Sequence, residues 1–128
     1  MAEPFDGKTI LIVDDDADMV TAIEAALKDS GAEIKKAGDG NAAVTIAQNE
    51  NPDLIVLDLM LPKRSGLLVL EKLKAKKPRG SKPYVIMITG NPGTRHRQYA
   101  ETLGVDGYLI KPFRMDRLTD TIKELLAK

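Results

Sequence analysis

The chain has no cysteine and a single histidine. That excludes a disulfide framework, a thiolate metal site and a multi-histidine zinc site, and leaves oxygen as the ligand type for any metal. Nor is there an excess of charge: 19 Lys and Arg balance 19 Asp and Glu, so the molecule exerts no net pull on nucleic acid or membrane and charge effects must be local. No apolar run approaches the roughly 20 residues that span a bilayer. The opening MAEPFDGK lacks the basic and apolar regions of a signal peptide. These absences lead to the expectation of a cytoplasmic protein with no membrane insertion and no direct nucleic-acid contact. Internal repeats, low-complexity tracts and interdomain linkers are also missing, and 128 residues with 43% apolar content suit one domain over 1–128.

What is present is an alternation of short apolar runs with longer segments of helical period, the pattern of a parallel sheet covered by helices. The runs TILIV (9–13), EIKKA (33–37), DLIVL (53–57), YVIMI (84–88) and GYLI (107–110) read as strands. EIKKA carries two lysines, which suits a sheet edge. Val20, Ile23 and Leu27 recur at helical spacing before Gly31, as do Leu67, Leu70 and Leu73, and Met115, Leu118, Ile122 and Leu125. GNAAVTIAQNE after Asp39 and RHRQYAETL before Gly104 are weaker helices, and the latter is expected to be the most mobile, with little apolar area to hold it. AKKPRGSKP (75–83) reads as a solvated loop.

Ligands of such open sheets bind beyond the carboxyl ends of the strands. Asp14 and Asp15 follow the first strand, Asp58 the third, Thr89 and Gly90 the fourth, Lys111 and Pro112 the fifth. Adjacent carboxylates repel, and a hard cation offsets that repulsion; Mg²⁺ suits an open oxygen site that shares its coordination with a phosphate. An ammonium and a hydroxyl beside it are what a phosphoryl group needs, and a carboxylate can serve as the nucleophile that accepts one.

The segments ILIVDDD, AGDGNAA, PDLIVLDLMLPKRSG, VIMITG and GVDGYLIKPF, in that order and spacing, resemble the receiver domain of bacterial two-component response regulators of the stand-alone, CheY-like kind, over about residues 8–127. The resemblance implies a flavodoxin-like, doubly wound five-stranded parallel sheet of order 2-1-3-4-5 with five helices. It implies Asp58 as phosphoacceptor, and Asp14, Asp15, Asp58 and the Met60 backbone carbonyl as ligands of Mg²⁺ or Mn²⁺. Thr89 is then the switch hydroxyl, Lys111 the phosphoryl-pairing lysine after a cis Lys111–Pro112 bond, and Tyr108 the aromatic switch.

The implied partners are a sensor histidine kinase or phosphotransfer protein and an unidentified downstream protein target. The chain would act as a monomer or a weak dimer through the face of the fourth helix, fifth strand and fifth helix. It would be a signalling switch that catalyses only its own phosphorylation and dephosphorylation. Gly90 departs from the alanine more usual in the family, and TGNPGTRH reads as a loop of unusual freedom. Met60 and Asn91 occupy the positions that tune phosphoryl lifetime, and a methionine that cannot position water implies slow self-dephosphorylation. Arg95 to Arg97 reads as a solvated basic turn or as a contact for an acidic partner or phosphate.

Two rival readings start from the same acids. The Asp14-x-Asp16 spacing also fits haloacid-dehalogenase-like phosphatases, with Asp14 as nucleophile, but 128 residues leave no room for a cap domain. A calcium loop over Asp14, Asp16 and Asp18 fails because Met19 stands where glycine is needed and Ala25 where glutamate is needed.

Overall fold

The computed structural model describes residues 3–75, 77–78, 80–91 and 93–128. Strands and helices alternate as β1 (Thr9–Val13), α1 (Ala17–Ala26), β2 (Glu33–Ala37), α2 (Gly40–Glu50), β3 (Leu54–Asp58), α3 (Gly66–Lys74), β4 (Tyr84–Thr89), α4 (Thr94–Thr102), β5 (Gly107–Ile110) and α5 (Met115–Leu126). All neighbouring strands pair in parallel, in the order β2-β1-β3-β4-β5. EIKKA is accordingly an edge strand. This is the expected flavodoxin-like fold.

The two-residue period of a strand divides the core in two. Ile10, Ile12, Val56, Ile86 and Ile88 point to a layer closed by Ile23 and Leu27 of the α1 segment and by Leu118, Ile122 and Leu125 of α5. Leu11, Val13, Leu57, Val85 and Met87 point the other way, against Val44 of α2, Leu70 of α3 and Ala100 of α4. Each fully buried Leu or Ile side chain contributes about 1.5–3 kcal/mol from the removal of its surface from water. Both faces of β1, β3 and β4 are covered, which is why those runs are apolar throughout.

Helix starts follow the expected capping chemistry. The side chains of Asp16, Asp39 and Ser65 accept from backbone N–H groups in the first turns of α1, α2 and α3. α4 begins at Gly93 with no side-chain cap and buries only Ala100. α1 ends earlier than Gly31 suggests: Leu27 is its C-cap, and the Ser30 N–H closes a turn onto the Leu27 carbonyl. β3 and β4 each run one residue further than their apolar runs, because Asp58 pairs with Ile88 and Thr89 with Ile110. Asp53 instead lies before β3, where its carboxylate accepts the Thr9 N–H at 2.8 Å. In the 75–83 loop, Lys76 and Arg79 lie outside the described residues, as does Pro92 in the loop after β4.

Two features escaped the sequence pattern. Phe5 is buried in the α1/α5 layer and its N–H donates to the Ser30 carbonyl at 2.7 Å, so the residues before β1 are tied to the domain. Lys74 and Asp106 form a buried ion pair at 2.8 Å. The Lys74 ammonium also donates to the Ser81 carbonyl, and Asp106 accepts the Val85 N–H, so both charges are further satisfied. The three tyrosines are spread out: Tyr84 is buried at the start of β4, Tyr108 is half-buried on β5, and Tyr99 is exposed on α4 with its hydroxyl donating to Glu71 of α3.

Candidate functional site

Because every strand is parallel, all the residues that end strands meet at one edge of the sheet. Asp14 and Asp58 are buried there and Asp15 is exposed beside them. One carboxylate oxygen from each of the three falls within 4.8 Å of the others. Among the described residues these are the acids that cluster in this way, and their hard oxygen donors at a partly open edge fit a Mg²⁺-sized cation.

Backbone geometry fixes each carboxylate. The Asp16 N–H donates to Asp14 Oδ1 at 2.9 Å, and the Met60 N–H donates to Asp58 Oδ1 at 3.1 Å. The Lys111 ammonium reaches across from the end of β5 and lies 3.0 Å from Asp14 Oδ2 and 3.5 Å from Asp58 Oδ2. The peptide bond between Lys111 and Pro112 is cis, as the resemblance implied, and the Lys111 N–H donates to the Thr89 carbonyl at 2.7 Å. Thr89 is fully buried, and its hydroxyl oxygen accepts the Asn91 N–H at 3.0 Å. The site residues expected on α/β connections are thus brought together in one place. Met60 meets this edge through its backbone N–H on Asp58, while its side chain is 61% exposed.

The electrostatics follow from burial and crowding. Burial pushes the Asp58 carboxyl up to about 6; the neighbouring Asp14 adds to the rise, and the Met60 N–H and Lys111 oppose it. For Lys111, burial alone pulls the ammonium down, yet the hydrogen bond to Asp14 and the charges of Asp58 and Asp14 outweigh it and hold its pKa above the ordinary value. The site therefore carries an acid that is costly to ionise beside a cation that is hard to discharge.

Two glycines shape this edge without being legible as functional. A methyl group on Gly66 would overlap the Asp58 carbonyl oxygen, and one on Gly40 would overlap the Arg64 carbonyl oxygen. Only glycine lets α3 start directly against the strand end that carries Asp58. Lys63, in the left-handed region at φ 68°, turns the β3–α3 connection, and its ammonium lies 3.8 Å from Asp39. Tyr108 lies further along β5; its hydroxyl is buried with no partner, and the Arg97 guanidinium stands 5.5 Å from the centre of its ring. Burial of that hydroxyl raises its pKa, against the opposing charge of Arg97. His96 is half-buried, with Nδ1 enclosed and unpartnered, rather than placed among the acids.

Residues 10–123 match the family model for the response regulator receiver domain. The chain belongs to that family. It is 37% identical to a probable transcriptional regulatory protein, TcrX, of Mycobacterium tuberculosis, over 94% of this chain and 50% of that protein. It is 36% identical to the alkaline phosphatase synthesis transcriptional regulatory protein PhoP of Bacillus subtilis, over 94% of this chain and 49% of that one. The chain thus spans about half the length of these curated relatives. Among solved structures it is similar to a CheY-like receiver domain protein of Methanospirillum hungatei, with 32% identity, a TM-score of 0.85 and 94% of both chains covered.

The receiver fold expected from the motifs is therefore the one observed, and the receiver is the phosphorylation-activated switch of two-component response regulators. No helix among the described residues is long and apolar enough to cross a membrane.

Proposed function

We propose that this receiver accepts a phosphoryl group on Asp58 and transmits the event through Thr89 and Tyr108. The observation that carries the reading is the Lys111 ammonium lying between Asp14 and Asp58 within an acid cluster that fits a divalent cation. An Asp58 carboxylate oxygen attacks the phosphorus of a phosphohistidine, on a sensor histidine kinase or phosphotransfer protein, or of a small acyl phosphate. The bond from phosphorus to the donor breaks, and an aspartyl phosphate forms.

Asp14, Asp15, Asp58 and the Met60 carbonyl would hold Mg²⁺ or Mn²⁺, which supplies neutralisation of phosphoryl charge when bound. Lys111 contributes a second positive charge beside the acceptor oxygen, and Thr89 a hydroxyl donor. The added group carries about −1.5 to −2 charges. It draws the Thr89 hydroxyl toward it, frees space behind Thr89 for the Tyr108 ring and shifts the population of the α4–β5–α5 face toward a target-binding form. The chain acts in this reading as one domain in the cytoplasm, as a monomer or a weak dimer through that face. Its catalysis is confined to its own phosphorylation and dephosphorylation.

The deciding experiment is intact mass after incubation with acetyl phosphate and Mg²⁺. One phosphoryl adduct is expected on the wild type and none on Asp58→Asn or without metal. An adduct that persists in Asp58→Asn would move the nucleophile to another acid, Asp14 above all, and overturn the assignment in favour of the phosphatase reading.

A further inference from the structure

The opposite edge of the sheet, where the strands begin, holds a second concavity. A half-open cavity of about 500 Å³ lies between the C-terminal end of α2, the residues before β3, the end of α3 and the loop into β4. Its charged lining is lopsided, with Lys72, Lys77 and Lys82 facing a single carboxylate, Asp53. That carboxylate is already engaged: Oδ2 accepts the Thr9 N–H at 2.8 Å and Oδ1 pairs with Lys82 at 3.1 Å. Among the described residues, Lys72 and Lys77 pair with no carboxylate. The Lys77 ammonium donates to the Lys82 carbonyl at 3.5 Å, but among these residues no carboxylate offsets its charge or that of Lys72. Two such cations in one concavity favour a ligand with more than one negative charge.

The rest of the lining narrows the chemistry. Pro52, Leu73 and Pro83 supply apolar surface that a bare inorganic anion would leave unused. The amides of Gln48 and Asn51 stand at the end of α2, where terminal carbonyls carry partial negative charge and suit the amino group of a base better than a phosphate. The volume is in the range of small-molecule sites, roughly 300–1,000 Å³. A concavity of this size is shaped for a small ligand rather than for the continuous backbone of a nucleic acid.

We propose that this cavity is a nucleotide site, with the phosphates of a nucleoside di- or triphosphate on Lys72 and Lys77 and its base against Pro52 and Pro83. It is separate from the acid cluster and does not depend on the role given to Asp58. The test is equilibrium dialysis of the full chain against ADP in metal-free buffer, repeated with Lys72→Glu/Lys77→Glu, Asp58→Asn and Lys111→Ala. Both reversed lysines are exposed, so that variant keeps the fold, which thermal unfolding checks.

Single-site binding is expected in the wild type, unchanged in Asp58→Asn and Lys111→Ala and weakened at least about tenfold in the double reversal. Absence of ADP binding, or binding indifferent to the double reversal, overturns the proposal. Loss on Lys111→Ala overturns it by placing the phosphates at the strand-end site. Pyrophosphate binding as tight as ADP binding overturns the base contacts. A DNA duplex that shows the same lysine dependence and resists displacement by ADP overturns the small-ligand assignment.

Discussion

Asp58 is a carboxylic acid held where ionisation is costly, and the sign of its effect on stability follows. Its pKa in the fold is about 6 against an ordinary 3.8, so between those values the folded state binds more proton than the unfolded one. In metal-free protein its contribution to stability falls as pH rises through that window and is least favourable above pH 6. Asp58→Asn is expected to raise unfolding free energy at pH 8 by on the order of 1–3 kcal/mol, with the gain shrinking as pH falls toward 4. Urea unfolding at the two pH values checks this. A gain independent of pH would show that packing, not ionisation, sets the difference. Met60, with its side chain exposed at the rim, gives a second prediction: Met60→Ala shortens the lifetime of the phosphorylated form in a decay assay if that side chain shields the aspartyl phosphate. Asp14, Asp58, Thr89 and Lys111 were readable as a set because each directly follows an apolar run. The partnership of Lys111 with Asp14 at 3.0 Å as well as with Asp58 was not, since no local pattern reports a contact between residues 97 positions apart.

The connections between elements constrain the site more tightly than their sequence suggests. Gly66 opens α3 against the Asp58 carbonyl, so Gly66→Ala is expected to cost more than about 2 kcal/mol and to slow acetyl-phosphate labelling by moving that strand end. Gly90 has open space where a Cβ would stand, so Gly90→Ala should leave stability within about 0.5 kcal/mol of the wild type or slightly raise it. Paired thermal melts of the two variants separate the cases. α4 lacks a side-chain cap and buries one alanine, whereas α5 buries Leu118, Ile122 and Leu125. Hydrogen exchange should therefore be fastest in α4 among the five helices. The apolar period revealed α1, α3 and α5 because packing and periodicity agree there. It could not reveal that Gly66 and Gly40 matter, because the contact each makes is with another segment's backbone.

At the scale of the whole molecule, the two ends of the sheet do different work. The strand-end edge gathers the acids, and the opposite edge is tied together by Lys74 and Asp106, a buried pair joining the end of α3 to the residue before β5. Lys74→Ala leaves Asp106 buried without its cation and is expected to cost about 3–5 kcal/mol. Its melting temperature should fall by roughly 10 °C or more, as a thermal melt would read. The parallel sheet and the edge that carries the site were legible because alternating apolar runs admit few chain paths. The strand order was implied by the resemblance of the motifs, and the assignment of helices to the two layers emerged only in the fold. The Lys74–Asp106 pair and the tie of Phe5 were hidden, since a lysine in a basic run and a phenylalanine near a terminus look like surface until the fold encloses them. The scattering of the tyrosines has an optical consequence. With no tryptophan to mask them, Tyr84 is a silent spectator in the interior, while Tyr99 and Tyr108 lie on α4 and β5 and differ in solvent contact. The protein therefore carries its own chromophores on the face where the proposed output change would occur, and ultraviolet difference spectra recorded on phosphorylation test that change without a label.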